Sequence, residues 1–133
     1  MTAAFADTNI VIYAEGADVR KAQRAMAILE PGPVISSQVV TETINILTRK
    51  YGFALAEAHD VASSLLDLCE VVPVGAQTVR EAMRLAARYQ LSHWDSVIVA
   101  AAHLAGCETL YSEDFQHGQV IEGRLAIVNP FIT

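Results

Sequence analysis

Four acidic residues stand in surroundings where acids are out of place: Asp7, Glu42, Asp95 and Asp114. Asp7 ends the apolar run Ala3-Ala4-Phe5-Ala6 and precedes Thr8-Asn9 and a helical stretch. Glu42 lies beside a stripe of Val39, Thr43 and Ile46 on a helical wheel. Asp95 stands three, four and seven residues before Ile98, Val99 and Ala102, so it shares the apolar face of the most hydrophobic helix. Asp114 follows the strand-like segment Thr109–Ser112. Each acid has an ordinary explanation. Asp7 can cap a helix, Glu42 can face solvent, Ser92-His93-Trp94-Asp95 fits a capping box with Asp in the Glu/Gln position, and turns after strands are rich in Asp. A cluster of carboxylates at one end of a fold, however, repels itself unless a divalent cation neutralises it. Carboxylate oxygens are hard ligands suited to Mg²⁺ or Mn²⁺, and Mg²⁺ keeps several waters and bridges to phosphates. The pattern points to metal-assisted attack of water on a phosphate ester.

The elements that must position these acids are legible as short apolar runs alternating with longer helical patterns. Ala3–Ala6 leads into Asp7, and Ile10–Ala14 follows it. Val19–Glu30 carries Ala22, Ala25, Met26 and Leu29 at helical spacing and is stopped by Pro31-Gly32-Pro33. Val34-Ile35-Ser36 reads as a strand, and Ser37 as the cap of a helix through roughly Arg49. Ala54–Cys69 reads as a helix. Val71–Val74 reads as a strand whose Pro73 suits an edge. Gln77–Tyr89 and His93–Ala105 are two more helices, and Thr109–Ser112 and Leu125–Val128 two more strands. Strands separated by helices imply right-handed crossovers. The expected fold class is therefore α/β, a three-layer α/β/α sandwich with a mostly parallel central sheet, as one domain over residues 1–133. In such sheets ligands collect beyond the carboxyl ends of the strands. Three of the four acids fall at a strand end or a helix start.

Composition bounds the alternatives. A chain of 133 residues that is 53% hydrophobic and 18% charged is one domain's length and is not a disordered tail. Its longest strongly apolar stretch free of Asp, Glu, Lys and Arg, Ser96–Cys107, is 12 residues, against the roughly 20 that a membrane span needs. The start, MTAAFADTN, has no basic region before Asp7 and is not expected to be a signal peptide. Cys69 and Cys107 form no CxxC or metal-type spacing, which suits reduced, partly buried thiols in a cytoplasmic protein. The net charge of −6, from 9 Lys and Arg against 15 Asp and Glu, argues on its own against a nucleic-acid partner. Assigning four acids to a metal site leaves 11 against 9, or −2, and makes any contact with a phosphate-bearing partner local, metal-centred and weak by itself.

Asp7-Thr8-Asn9 after a short first strand, Glu42 on the next helical segment, Leu91-Ser92-His93-Trp94-Asp95 entering an Ala-rich helix, and Ser112-Glu113-Asp114 after the last long strand together resemble the PIN domain. The likeness is greatest to the VapC-type ribonuclease toxins of bacterial and archaeal toxin–antitoxin pairs, and it runs from Asp7 to Val128-Asn129-Pro130-Phe131. Successive acids are 35, 53 and 19 positions apart. The resemblance implies a Mg²⁺- or Mn²⁺-dependent endoribonuclease that leaves a 5′-phosphate and a 3′-hydroxyl. It implies a homodimer and a cognate antitoxin whose tail occupies the active-site groove. It makes Asp7, Glu42, Asp95 and Asp114 the catalytic, metal-binding acids, with Thr8, Asn9 and Ser112 as supporting polar groups. One departure is that many relatives carry a further acid soon after the last one, where this chain has Phe115-Gln116-His117-Gly118. Glu113 is a poor substitute, because neighbours in an extended segment point oppositely.

Other residues read as structural. Arg80, Arg84 and Arg88 recur every four residues and could follow a phosphate backbone, but a solvated face with Glu81 pairing Arg84 is the simpler reading. Arg20, Lys21 and Arg24 form a second small basic patch, read as surface. His59, His93, His103 and His117 show no ligand spacing. Trp94 reads as a packing residue, although an aromatic near a nuclease groove can stack a base. Three competing functions remain. A phosphatase with an aspartyl nucleophile would want a second Asp two residues after Asp7, and Asn9 stands there. A signalling receiver would want a late lysine, and there is none after Lys50. A non-catalytic RNA- or partner-binding module on the same fold is the third. The high apolar fraction also favours covered surfaces, in a homodimer and against an antitoxin.

Overall fold

The computed structural model describes residues 3–132. Its element order is β1 (Ala4–Ala6), α1 (Thr8–Ala14), α2 (Val19–Leu29), β2 (Val34–Ser36), α3 (Ser37–Arg49), α4 (Leu55–Leu68), β3 (Glu70–Val72), α5 (Ala76–Tyr89), α6 (His93–Leu104), β4 (Thr109–Tyr111), β5 (Val120–Ile121) and β6 (Leu125–Val128). The six strands form one sheet in the order β3-β2-β1-β4-β6-β5. All pairings are parallel except that of β5 with β6. In β2 all of Val34, Ile35 and Ser36 are buried. Successive strand residues face opposite sides, so both faces of the sheet are covered, as the expected α/β/α layering requires.

The core explains why these short strands hold. Phe5, Ile35, Leu110 and Ile127, one from each of four adjacent strands, are completely buried. Against them packs α6, whose residues Val97 to Ala102 are all buried; this is the helix whose composition is apolar all round. The turn after α2 depends on Gly32. Its φ is +74°, and a Cβ there would lie 2.5 Å from the Leu68 carbonyl oxygen, so only glycine lets α2 and the end of α4 approach this closely.

Several boundaries differ from expectation. Ser36, not Ser37, caps α3, accepting a hydrogen bond from the Val39 N–H at 3.4 Å. Ser37 is the first helical residue, and its Oγ accepts from the Val74 N–H at 3.0 Å. Strand β3 sits at a sheet edge, as Pro73 suggests, but it covers Glu70–Val72 and ends before the proline, which has no N–H to offer a ladder. Strand β5 is an addition to the expected set. Cys69 and Cys107 are free and buried, more fully than the composition suggests. Among the described residues no helix is long and apolar enough to cross a membrane.

Candidate functional site

Strands β1 and β4 run side by side with Ala6 opposite Tyr111, so the residues that follow them emerge together. The Asp7 N–H donates to the Tyr111 carbonyl at 3.0 Å, and the Ser112 hydroxyl donates to Asp7 Oδ2 at 2.7 Å. The chain leaves β1 towards β2 on one side and reaches β4 on the other, which makes this the switch point where parallel sheets open a crevice. Asp7 also caps α1, with Oδ1 accepting from the Thr8 N–H at 2.7 Å. The capping reading and the site reading thus hold for the same side chain.

Asp7 is 5% exposed. Burial pushes its carboxyl up from the ordinary 3.8 to about 6; the Ser112 and Thr8 hydrogen bonds oppose that rise, and the charges of Asp114 and Glu42 add to it. Burial outweighs the two donors, so the hydrogen bonds of Ser112 and Thr8 do not fully compensate the charge of Asp7.

The other acids come from three further elements. Glu42 lies on α3, where Oε2 accepts from the Thr8 hydroxyl at 3.0 Å and Oε1 from Gln38 Nε2 at 2.8 Å. Asp114 follows β4, and its Oδ2 accepts from Asn9 Nδ2 at 3.1 Å. Asn9 also reaches Ser112 Oγ at 3.3 Å and accepts from the Glu113 N–H at 3.3 Å. Asp95 is in the first turn of α6, where its N–H donates to Ser92 Oγ at 3.2 Å. This is the N-cap half of the expected capping box. All four acids line one cleft of about 290 Å³, together with Thr8 and Asn9. Thr8, Asn9 and Ser112 each hydrogen-bond at least one of them.

Whether these residues suit a divalent cation can be judged from the donor set. The acids are oxygen donors, which Mg²⁺ and Mn²⁺ prefer. Among the described residues none of the four forms an ion pair with Lys, Arg or His. Lys50 also lines the cleft but pairs with none of them, so a small hard cation fits. Among the described residues no three Asp, Glu, His or Cys side chains converge as a closed ligand set; a hydroxyl or an amide holds Asp7, Glu42 and Asp114 individually.

Glu113 behaves differently. Its carboxylate accepts from the Tyr13 hydroxyl and pairs with Lys21 Nζ at 3.0 Å, and these partners hold its pKa below the ordinary value. It lines the cleft with its charge already answered, so it does not replace a fifth acid. Lys21, read from the sequence as surface, is partly exposed, and it also lies 4.3 Å above the centre of the ring of Tyr13, a residue that lines the cleft. The arginine stripe is a solvated face as expected, with Arg80 exposed. Arg84 pairs with Glu81, and also with Glu122, which Arg88 reaches at 3.2 Å.

Trp94 requires a correction. It is 66% exposed and lines the acid cleft, so it is not a core packing residue. Sequence reasoning misses Gln38, Tyr13, Lys50 and Tyr51, and all but Gln38 line that cleft. Gln38 has a usable signal, standing one helical turn before Glu42. Tyr13, Lys50 and Tyr51 have none. A larger groove of about 610 Å³ lies apart from the four acids, lined by apolar residues that include Val11, Met26, Leu29, Leu65 and Leu68. Glu15, Glu30, Asp60 and Ser64 also line it, and among the described residues no three acids there converge as a ligand set.

Known proteins share this fold. The PIN domain profile matches residues 4–121. A search of curated proteins finds no significant match. Among solved structures, a toxin–antitoxin complex from Klebsiella pneumoniae superposes with a TM-score of 0.74 at 23% identity, covering 97% of this chain and 98% of that one. The sarcin–ricin-loop-cleaving toxin VapC20 of Mycobacterium tuberculosis gives 0.69 at 23% identity, covering 84% and 90%. DNA-bound VapBC from Salmonella typhimurium gives 0.70 at 18% identity, covering 96% and 98%. The strand order, the acids at the strand ends and a match over most of the chain lead to one conclusion: the chain belongs to the PIN domain family.

Proposed function

We propose that this protein is a Mg²⁺- or Mn²⁺-dependent endoribonuclease, the toxin of a toxin–antitoxin pair, with Asp7, Glu42, Asp95 and Asp114 as its catalytic, metal-holding acids. PIN domains are a nuclease family, and the observation that carries the finer reading is the meeting of four carboxylates from separate elements in one cleft, none of them ion-paired among the described residues. Asp7, Glu42, Asp95 and Asp114 would hold a divalent cation, which would offset charge on the scissile phosphate and acidify a nearby water. The chain's own residues prepare that site. Ser112 and the Thr8 N–H fix both oxygens of Asp7. The Thr8 hydroxyl and Gln38 aim Glu42 into the cleft from two sides. Asn9 holds Asp114 and ties it to Ser112. Thr8, Asn9 and Ser112 thus act as positioning groups, and their hydrogen bonds keep the oxygens in place before any cation arrives.

The neighbouring toxin–antitoxin structures support a cognate antitoxin as partner. The apolar groove of about 610 Å³, together with exposed Met26 and Leu68, supports a covered protein surface. A homodimer and action in the cytoplasm, where Cys69 and Cys107 stay reduced, complete the reading. The second reading, a non-catalytic RNA- or partner-binding module, draws on the lack of a closed ligand set among the described residues.

Asp95→Ala separates them. Asp95 contributes no core packing, so the variant folds with an unchanged circular dichroism spectrum. Its Mg²⁺-dependent cleavage of single-stranded RNA falls by roughly 10²–10³-fold or more, the scale of removing one charge-stabilising group. A folded variant that cuts RNA at the wild-type rate contradicts the assignment.

A further inference from the structure

Trp94 is the chain's single tryptophan, and most of its surface lies in water beside the acids. The His93 ring meets it edge to face, with centroids 5.1 Å apart and planes at 66°, so the indole stands against a second ring. Next to it opens a groove of about 450 Å³, which shares Glu42, Ile46 and Trp94 with the acid cleft and adds Gln38, Thr41 and Asn45. Positions 38, 41, 42 and 45 lie three and four apart, on one face of α3. Thr41 and Asn45 on that face are exposed. The wall is thus one large aromatic surface opposite a row of amide and hydroxyl groups.

Gln38 adds an independent observation. Its side chain is 9% exposed, and its Nε2 is committed to Glu42 at 2.8 Å. That bond fixes which end of the amide is oxygen. Gln38 Oε1 has no partner among the described residues, and an unpaired buried acceptor costs free energy that a donor on a ligand would recover.

We propose that this groove is a nucleobase subsite. An unpaired base next to the scissile phosphate stacks on Trp94, and its hydrogen-bonding edge meets Thr41 and Asn45, with Gln38 Oε1 as the acceptor left for an N–H of the base. The proposal rests on the ribonuclease reading and deepens it. A strand whose phosphate lies at the acids passes its next nucleotide along the shared wall of Glu42, Ile46 and Trp94. Every base has a π-face for stacking, whereas amides with both donors and acceptors discriminate between base edges.

Trp94 reports on its own occupancy. A single-stranded phosphorothioate hexaribonucleotide added to the full chain with Mg²⁺ is expected to quench its fluorescence. A hairpin of the same composition, its bases paired, is expected to leave it unchanged. Trp94→Leu weakens binding of the labelled single strand, read by anisotropy, by roughly 5- to 150-fold, the range of one base–aromatic stack. Trp94→Phe restores part of that loss, and Asn45→Ala changes the order of preference among the four bases beside the cut. Absence of quenching, or binding by Trp94→Leu within about twofold of wild type, overturns the subsite whether or not the protein cleaves RNA. Unchanged oligonucleotide binding with loss of self-association in Trp94→Leu also overturns it, and identifies the face as a contact between two copies. Quenching without any RNA cleavage supports the subsite and overturns the hydrolytic reading instead.

Discussion

Replacing Asp7 with Asn is expected to abolish RNA cleavage and, in the same molecule, to make the metal-free protein more stable at neutral pH. The two effects have one cause. Asp7 is nearly fully buried and titrates at about 6 in the folded chain against an ordinary 3.8. Between those values the folded protein holds more protons than the unfolded one, so stability falls as pH rises through the window and levels off above about 6. A tenfold difference in proton affinity between the folded and unfolded chains corresponds to about 1.4 kcal/mol. An asparagine carries no charge to bury, and its oxygen still accepts from the Thr8 N–H. It loses the charged acceptor for Ser112, which takes back part of the gain. A net stabilisation of about 1–3 kcal/mol follows, read as a higher melting temperature above pH 6 that vanishes below pH 3.8. Mg²⁺ or Mn²⁺ raises the melting temperature of the wild type, by about 2.7 kcal/mol of added stability at a hundredfold excess over Kd, and leaves Asp7→Asn unmoved. A destabilised Asp7→Asn at neutral pH would show that the hydrogen bonds of Asp7 outweigh the cost of burying its charge.

The second large effect concerns the strand that carries Asp7. Phe5 is completely buried in β1, between Val34 of β2 and Leu110 of β4 in register. Phe5→Ala removes a ring from the centre of the sheet and costs about 3–5 kcal/mol. In a domain of this size that lowers the melting temperature by roughly 10–20 °C. Activity should fall in step with the folded fraction, whereas Asp7→Asn loses activity while its melting temperature rises. Thermal denaturation and cleavage measured on both variants therefore distinguish damage to the scaffold from damage to the site. A loss below about 1 kcal/mol for Phe5→Ala would mean that the sheet centre repacks around the void.

What is legible in the sequence and what is not differ in the range of the interactions involved. A helix such as α5 announces itself by periodicity, because burial recurs at Thr78, Ala82 and Leu85, whereas α6 announces itself by an unbroken apolar run. The mostly parallel sheet follows from the alternation of those helices with short apolar runs. Strand β5 is two residues long and exists through its antiparallel pairing with β6, so nothing in Val120-Ile121 alone declares it. Ser36 and Ser37 are adjacent and equally good caps, and only the direction in which the chain leaves β2 decides between them. The end of β3 is hard to read because Val74 continues the apolar run beyond a proline that cannot join the ladder.

The same distinction holds at the site. Each acid is noticeable because it interrupts a local pattern, an apolar strand or a helix face. Their meeting is inferable from the rule that parallel strands open a crevice at their carboxyl ends. Some of the partners that order the cleft lie nearby, as Gln38 does for Glu42 and Thr8 for Asp7, but others come from distant elements. Tyr13 reaches Glu113, and Asn9 reaches Asp114, across about a hundred residues of sequence. No local pattern marks such pairs. Trp94 misleads for the opposite reason: its local context, ahead of the most apolar helix, suggests core, and the helix turns this residue of its first turn outward instead.

If this carboxylate cleft performs metal-dependent hydrolysis of RNA, one measurement tests it most directly. A single-stranded RNA is incubated with the wild-type chain in Mg²⁺, in excess chelator, and with Mn²⁺ restored, and the product ends are identified. Metal-assisted hydrolysis predicts cleavage that the chelator abolishes and added metal restores, leaving 5′-phosphate and 3′-hydroxyl ends. Undiminished cleavage in chelator, or products ending in a 2′,3′-cyclic phosphate, would contradict it, because a reaction of that kind needs neither the four acids nor a cation between them.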